Sequence, residues 1–328
     1  MRCILLTAVV VGAVVTAAPA ADPLKYMPDN TGAYVHINVK QLFTAPIVRK
    51  AVPMAFDKYG EQIVGLVEMV KQFDAKAKEI SEDDVKNVLK DLKNPTKIAA
   101  SFDLIREFVT DIVLFSDLED DSEKSLLLLQ CNPAVTALLD LGMTFVDQSE
   151  KVSVKKHQKA GRPTVYEIEI EDIEKSFFVA VPEQGLIALG MVKEPIFIAL
   201  GRTKSTKAVK VDAQLKEMIA KRNPNDFLFL AGIRGADDDR EVSFASLALD
   251  KDVSGRFTVA YDSPERAKAG AQEIEQGITT LTNSLKELIG ESHKALNESL
   301  EKVKAKAEGK KVAVTLTLPG SVIEKLLK

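Results

Sequence analysis

The chain has 328 residues, of which 46% are hydrophobic, 28% charged and 6% aromatic, with 44 basic against 48 acidic side chains and a formal charge of -4. That balance is ordinary for a globular protein and gives no electrostatic pull toward nucleic acid or an anionic membrane. With no Trp and few other rings, platforms that stack sugars or bases are not expected.

Met1 to Ala20 reads MRCILLTAVVVGAVVTAAPA. Arg2 precedes an apolar run from Ile4 to Ala18, and Ala18-Pro19-Ala20 offers small residues for cleavage. This is the pattern of a secretory signal peptide over 1–20, cut between Ala20 and Ala21, and it predicts a secreted or periplasmic product. The run falls short of the roughly 20 residues a membrane span needs, and polar Asp22, Pro23 and Lys25 follow at once. A retained N-terminal anchor is the alternative. Cys3 precedes the apolar run, so it is no lipid-attachment site. After Ala21 the apolar runs are strand-length and flanked by charge, which predicts no further membrane span. Cleavage leaves Cys131 without a partner for an internal disulfide. It closes the run Leu126 to Gln130 and reads as a buried strand position, so the fold must rest on its core.

Ala33 to Val39 alternates, with Val35, Ile37 and Val39 on one face and Tyr34, His36 and Asn38 on the other, as in a half-buried strand. Gln41 to about Ala77 reads as helix with breaks at Pro53 and Gly60. Glu82 to Lys93 is a second helix, capped by Ser81 and stopped by Asn94-Pro95. Strands are expected at Lys97 to Phe102, Asp111 to Asp117 and Ser125 to Cys131, the last two a hairpin around the acidic turn Leu118 to Lys124. Pro133 opens a helix to about Phe145. Val152 to His157 and Thr164 to Ile170 form another hairpin. Ser176 to Val181 and Leu186 to Met191 form a third, around Pro182 to Gly185. Helices follow at Glu194 to Leu200 and Asp212 to Arg222. Asp226 to Ile233 is a strand, and Glu241 to Leu249 pairs with Gly255 to Tyr261. Ser263 and Pro264 start a long amphipathic helix, 264–308, with Gly277 and Gly290 as weak points. Lys310 to Leu318 is an alternating strand, and Ser321 to Leu327 a terminal helix.

Adjacent strands interleaved with helices predict an α+β fold, with antiparallel sheets and helices packed on one face. No Gly-rich turn joins a strand to its helix, so a doubly wound nucleotide-binding sheet is excluded. Two units are expected, 21–222 and 223–328. Each opens with a strand after a Pro-containing turn and continues with a hairpin, a helix from Pro133 or Pro264, and an alternating strand. This reads as a degenerate duplication, with Val152 to His157 the counterpart of Lys311 to Leu318.

Chemical signatures are weak. The histidines, His36, His157 and His293, fall on three distant elements without a G-x-S-x-G or H-E-x-x-H motif, and each reads first as a solvated or hydrogen-bonded surface residue. Two acidic clusters, Asp117 with Glu119 to Glu123 and Asp237 to Asp239 with Glu241, lack the spacing and the Gly of a calcium loop. Glu167, Glu169 and Glu171 alternate with Ile168, Ile170 and Ile173 as the wet side of a sheet. The basic hairpin Lys155, Lys156, His157, Lys159 and Arg162 has no interleaved rings and reads as a solvated turn. On the long helix Leu281, Leu285, Leu288, Leu296, Leu300 and Val303 form an apolar stripe, suited to packing on the protein's own sheet or to a partner. No catalytic, cofactor-binding or metal-binding residue is assigned, and no cofactor is expected.

Residues 26 to 50, YMPDNTGAYVHINVKQLFTAPIVRK, place the turn Tyr26-Met27-Pro28-Asp29 before an alternating strand, then Pro46 and the basic pair Arg49-Lys50. This resembles the mature N-terminus of uncharacterised secreted proteins of planctomycete-type bacteria, and Phe257 to Ala271 resembles their later segments. The resemblance implies secretion and a repeated α+β pattern, and it transfers no site. Together these readings lead to the expectation of a non-enzymatic binding or interaction protein of the cell envelope, with a protein or a small hydrophobic ligand as partner. The alternative is a secreted or periplasmic hydrolase whose site is assembled from scattered residues around His36 or His157.

Overall fold

In the computed structural model the described residues are 22–28, 31–58, 87, 90–91, 93–116, 125–146, 152–158, 161–171, 176–202, 212–234, 241–289 and 294–327. The leader expected over 1–20 and its expected cut, the part of the first expected helix beyond 58, most of the helix expected over 82–93 and the turn expected at Leu118 to Lys124 lie outside them.

A 3₁₀ turn, Pro23–Tyr26, leads to β1 (Ala33–Asn38), α1 (Val39–Thr44), α2 (46–58), α3 (Pro95–Phe108), β2 (Val109–Ser116), β3 (Leu126–Cys131) and α4 (Pro133–Val146). There follow β4 (Val152–His157), β5 (Val165–Ile170), β6 (Phe177–Glu183), β7 (Leu186–Gly190), α5 (Lys193–Arg202), α6 (Ala213–Ala220), β8 (Asp226–Arg234) and β9 (Glu241–Leu249). The chain ends with β10 (Val253–Ala260), α7 (Pro264–Ile289), α8 (Lys294–Leu300), β11 (Ala305–Glu308), β12 (Lys311–Leu318) and α9 (Gly320–Leu327). The fold is α+β, and the pairs β1–β2, β1–β8, β2–β3, β3–β7, β6–β7, β5–β6, β4–β5, β10–β12 and β11–β12 are antiparallel.

Four of the expected element boundaries and types are corrected. The strand expected at 97–102 is helix α3: the Asn94 side chain accepts hydrogen bonds from Thr96 N (3.0 Å) and Lys97 N (3.3 Å). Asn94 and Pro95 therefore start a helix here, and Ile98 and Phe102, one turn apart, are its buried positions. The first long helix breaks at Ala45, before Pro46, because a residue preceding proline is driven out of the helical region, whereas Pro53 lies inside α2. The tail of the 264–308 helix is strand β11, turned back through Gly309 (φ 59°) onto β12, with Glu308 opposite Lys311. The turn between β6 and β7 is also tighter than expected, with Pro182 and Glu183 still in the strand. There Gly185 (φ 82°) donates no Cβ to a spot 3.0 Å from the Cys131 carbonyl, and its own carbonyl accepts from Cys131 N at 2.8 Å.

The described chain falls into two compact units. One runs to Val39, then takes Glu107–Asn223 and Leu228–Phe244; the other is Lys40–Arg106, Pro224–Phe227 and Ala245–Lys328. In the first unit the strand order is β8-β1-β2-β3-β7-β6-β5-β4. Its larger core gathers Tyr34, Phe115, Leu128, Phe229, Ile196 and Ile219 under the 3₁₀ turn, α5 and α6. A second core on the opposite sheet face joins Tyr166, Val179 and Ile187 to Met143 of α4. Helices thus cover both faces in this unit rather than one, because β6 and β7 are apolar in consecutive positions, as fully buried strands require.

The faces of β1 are the reverse of the expectation. Tyr34 is 0% and His36 6% exposed, while Val35 and Ile37 are only half-buried. Tyr34 packs its ring between Phe115 (5.6 Å) and Phe229 (6.1 Å), and a ring of that size gains more from burial than a valine.

In the second unit β12 lies between β11 and β10, with residues 245–249 of β9 on the far side of β10. Helix α7 packs on β11 and β12 through Ala267 and Ala271 against Val312; the side chains of Leu281, Leu285 and Leu288 in the expected apolar stripe lie outside the described ones. The loop 250–252 is tied down from two helices: Ile47 N donates to the Asp250 carbonyl (3.3 Å) and Gly320 N to the Asp252 carboxylate (3.0 Å). A Cβ on Gly320 would stand 2.0 Å from the Lys251 carbonyl.

Connectivity repeats around the two hairpins. After β2 and β3 comes α4, and the returning β7 lies beside β3 with β6 outside it; after β9 and β10 come α7 and α8, and β12 lies beside β10 with β11 outside it. Val152–His157, expected as the counterpart of β12, is β4, and among the described residues it pairs only with β5.

Candidate functional site

His36 and His157 do not converge. Successive register pairs run His36, Val113, Leu128, Ala188, Ala180, Val165, His157 across one sheet face. The two rings therefore end one row, six strand spacings or about 29 Å apart. His293 lies outside the described residues.

His36 is buried, and its Nε2 meets the Asp111 carboxylate at 2.9 Å. Its ring stacks toward Tyr34 with centroids 6.5 Å apart. This corrects the expectation of a surface residue: the pair satisfies a polar side chain inside the core. The Tyr34 hydroxyl beside it has no hydrogen-bond partner among the described residues. Burial pushes its pKa up to about 12, against the pull of Arg222.

His157 is half-exposed. Its Nε2 is 2.6 Å from Glu167 Oε2, and its ring meets Phe197 edge-on at 6.1 Å. The hydrogen bond from His157 holds the Glu167 carboxyl below its ordinary pKa, reinforced by the charges of His157, Lys155 and Lys193. Next along the strands, Lys155 reaches Glu169 at 2.5 Å. The carboxylates read as a wet sheet face are thus the acidic half of a cross-strand ladder, while Glu171 is exposed after the strand. An open hollow of about 520 Å³ lies beside the pair, lined by Lys156, His157, Gln158, Lys193, Glu194 and Phe197. Of the basic hairpin, Lys156 lies over the Tyr166 ring (6.0 Å) and Arg162 lies beside Gly201 of α5; Lys159 is outside the described residues. Lys193, Glu194 and Phe197 were not foreseen, because only the packing of α5 brings them to β4. The hollow can hold a small polar group, and its lining contains no hydroxyl or thiol nucleophile.

Of the acidic clusters only Glu241 is described. Among the described residues no group of three or more His, Cys, Asp or Glu stands close enough to hold a metal ion, and no helix is long and apolar enough to cross a membrane. The second unit has a polar hollow of about 530 Å³ at its tied loop, lined by Gln41, Thr44, Asn225, Asp250, Asp252 and Ser254. Nearby Asp226 is buried, which raises its pKa, while a Ser246 hydrogen bond and the charge of Arg256 act the other way. Cys131 is buried and unbonded, its thiol pushed up to about 11 by desolvation, which leaves little thiolate for chemistry.

The largest unforeseen feature is apolar. On the face of β1 away from Tyr34, Val35 stands between Leu114 of β2 and Leu230 of β8, and Ile37 between Ile112 and Leu228. These six aliphatic side chains form two adjoining rows without a charge or a ring. They lie beyond the part of the face that α4 covers. All remain at least partly open, and Leu230 is 36% exposed. A one-face pattern of Val, Ile and Leu was visible in each strand, but which strands adjoin was not.

No family model matches the chain, and no curated protein matches it. Similar solved structures include three crystal forms of TP0453. Form I is 11% identical with a TM-score of 0.43, covering 94% of this chain and 98% of that one. Form III is 8% identical with a TM-score of 0.40, covering 94% and 99%. Form IV is 9% identical with a TM-score of 0.39, covering 94% and 98%. At these values the likenesses carry no argument about a site.

Proposed function

We propose that the chain is an exported, non-enzymatic binding protein of the cell envelope, and that the aliphatic face of β8, β1 and β2 takes an apolar ligand or an apolar segment of a protein. The half-buried rows of Val35, Ile37, Ile112, Leu114 and Leu228, with exposed Leu230, carry this reading, since contiguous apolar surface left partly in water marks contact sites. The leader-like residues 1–20 and the resemblance to secreted planctomycete-type proteins support export, to the periplasm or beyond. The repeated connectivity around the two hairpins supports an ancient duplication.

Protein purified from the envelope and examined by native mass spectrometry is expected to retain an apolar ligand or a partner. It is also expected to raise the fluorescence of an apolar dye, and Leu230→Lys to weaken both signals with the fold intact. A clean monomer with no dye response would overturn the reading.

A hydrolase is the second reading, favoured by the His157–Glu167 pair beside its hollow. It requires His157→Ala to abolish hydrolysis of a panel of simple esters and amides. Activity unchanged in that variant, or none in either protein, removes it.

A further inference from the structure

We propose that the hollow between the end of β4 and the start of α5 is a binding site separate from the aliphatic face, and that it takes a small monocarboxylate with an apolar body. The hollow measures about 520 Å³ and lies between Lys156, His157 and Gln158 on the hairpin side and Lys193, Glu194 and Phe197 on the helix. The site is independent of whether the aliphatic face binds anything.

The charges around the hollow favour one negative group. The Lys156 ammonium is engaged over the Tyr166 ring at 6.0 Å, and Lys155 is tied to Glu169. Lys193 differs from both. It is exposed, and no carboxylate among the described residues pairs with it. Its charge still reaches across to β5, where it helps to hold the Glu167 carboxyl down. Glu194 stands on the same rim, and its repulsion weighs more heavily on a dianion than on a monoanion. Glu167 itself is not part of the lining.

His157 adds a donor that depends on a proton. Its Nε2 meets Glu167 Oε2 at 2.6 Å. An ionised carboxylate only accepts, so Nε2 carries a hydrogen, and Nδ1 donates only in the imidazolium. The charged groups around this ring are Glu167 on β5, Lys155 and Lys156 on β4, and Lys193 and Glu194 on α5. A carboxylate held between the Lys193 ammonium and the ring stabilises the imidazolium. Its binding therefore takes up a proton and strengthens as pH falls from about 8 to about 6. Phe197, edge-on to the His157 ring at 6.1 Å, supplies an apolar wall for the rest of the ligand.

The test titrates the full chain with benzoate, benzyl alcohol and inorganic phosphate, and follows the ring signals of its three histidines by NMR. Benzoate is expected to shift one signal, the one lost in His157→Gln, with a dissociation constant on the order of 1 mM. Benzyl alcohol, of similar shape and no charge, should bind at least about tenfold more weakly. Lys193→Ala alters an exposed side chain and should weaken benzoate about threefold to fivefold. Lys155→Ala makes the same charge change outside the lining and should leave the affinity nearly unchanged. Benzoate should bind more tightly at about pH 6 than at about pH 8, a range in which it stays ionised. The site is overturned if no histidine signal shifts saturably, or if the alcohol or phosphate binds as tightly as benzoate. Equal affinities in wild type and Lys193→Ala, equal losses in the two lysine variants, or no tightening at the lower pH would overturn it as well. None of these outcomes touches the Leu230→Lys result, so the two sites stand or fall separately.

Discussion

His157 and Glu167 share a 2.6 Å contact across the β4–β5 hairpin, and that contact holds the Glu167 carboxyl below the ordinary value of 4.5. A carboxyl whose pKa is lower in the folded chain binds its proton more readily when unfolded. Its contribution is present above about pH 4.5 and is lost as pH falls through the lower folded value. In urea unfolding followed from pH 6 downward, Glu167→Gln is expected to flatten the acid limb of the stability curve. An acid limb identical to wild type would show that the contact contributes nothing to folding.

Tyr34 is expected to be better replaced than kept, as far as stability goes. Its ring fills the core between Phe115 and Phe229, but its buried hydroxyl is unpaired among the described residues. An orphaned buried hydroxyl costs roughly 1–3 kcal/mol, whereas truncating such a ring to Ala costs about 3–5 kcal/mol. Tyr34→Phe should therefore raise the unfolding midpoint and Tyr34→Ala lower it sharply. A loss of stability in Tyr34→Phe would mean that the hydroxyl has a partner, such as an ordered water.

The buried His36–Asp111 pair calls for a double-mutant cycle. Asp111→Ala strands the imidazole, at a cost of about 1–3 kcal/mol. His36→Leu removes the polar group and keeps volume. Combining them should cost less than the sum of the singles, with a coupling of about 0.5–3 kcal/mol by denaturant unfolding. Strict additivity would make the 2.9 Å contact energetically silent.

Asn94 is expected to act as a helix start. Asn94→Ala removes the acceptor for Thr96 N and Lys97 N, which costs about 1 kcal/mol. Asn94→Asp should be neutral. Equal stability of wild type and Asn94→Ala would leave the start of α3 to Pro95 alone.

What was legible in the sequence was mainly local. The hairpins β2–β3 and β4–β5 and the helices from Pro133 and Pro264 follow from turn residues and caps within a few positions of each other. The misreadings have specific causes. Lys97 to Phe102 is too short for its alternation to exclude a helix, and Asn-Pro serves as a start as readily as a stop. Ala305 to Glu308 is rich in helix formers, but pairing with β12 outweighs propensity in so short a segment. On β1, the alternation of valine and isoleucine with polar residues points to the wrong inner face. The deciding groups, Asp111 and Phe229, arrive from strands 75 and 193 positions away in the register. The same distance hides the aliphatic face, since nothing in Val35 or Ile37 announces that Leu114 and Leu230 stand on either side.

Among the described residues strand β4, at the end of its unit's strand order, is paired only with β5, and its other row of peptide groups meets no described strand. Any extended chain that met this row could add itself as a further strand, and a second copy could do the same to the first. Ser153, Lys155 and Lys156, all exposed, make that costly, because strand addition would crowd like charges from two copies along one seam. On this reading the basic residues of the hairpin keep a concentrated protein dispersed. Replacing both lysines with valine is expected to leave the fold intact while turning a clear solution turbid.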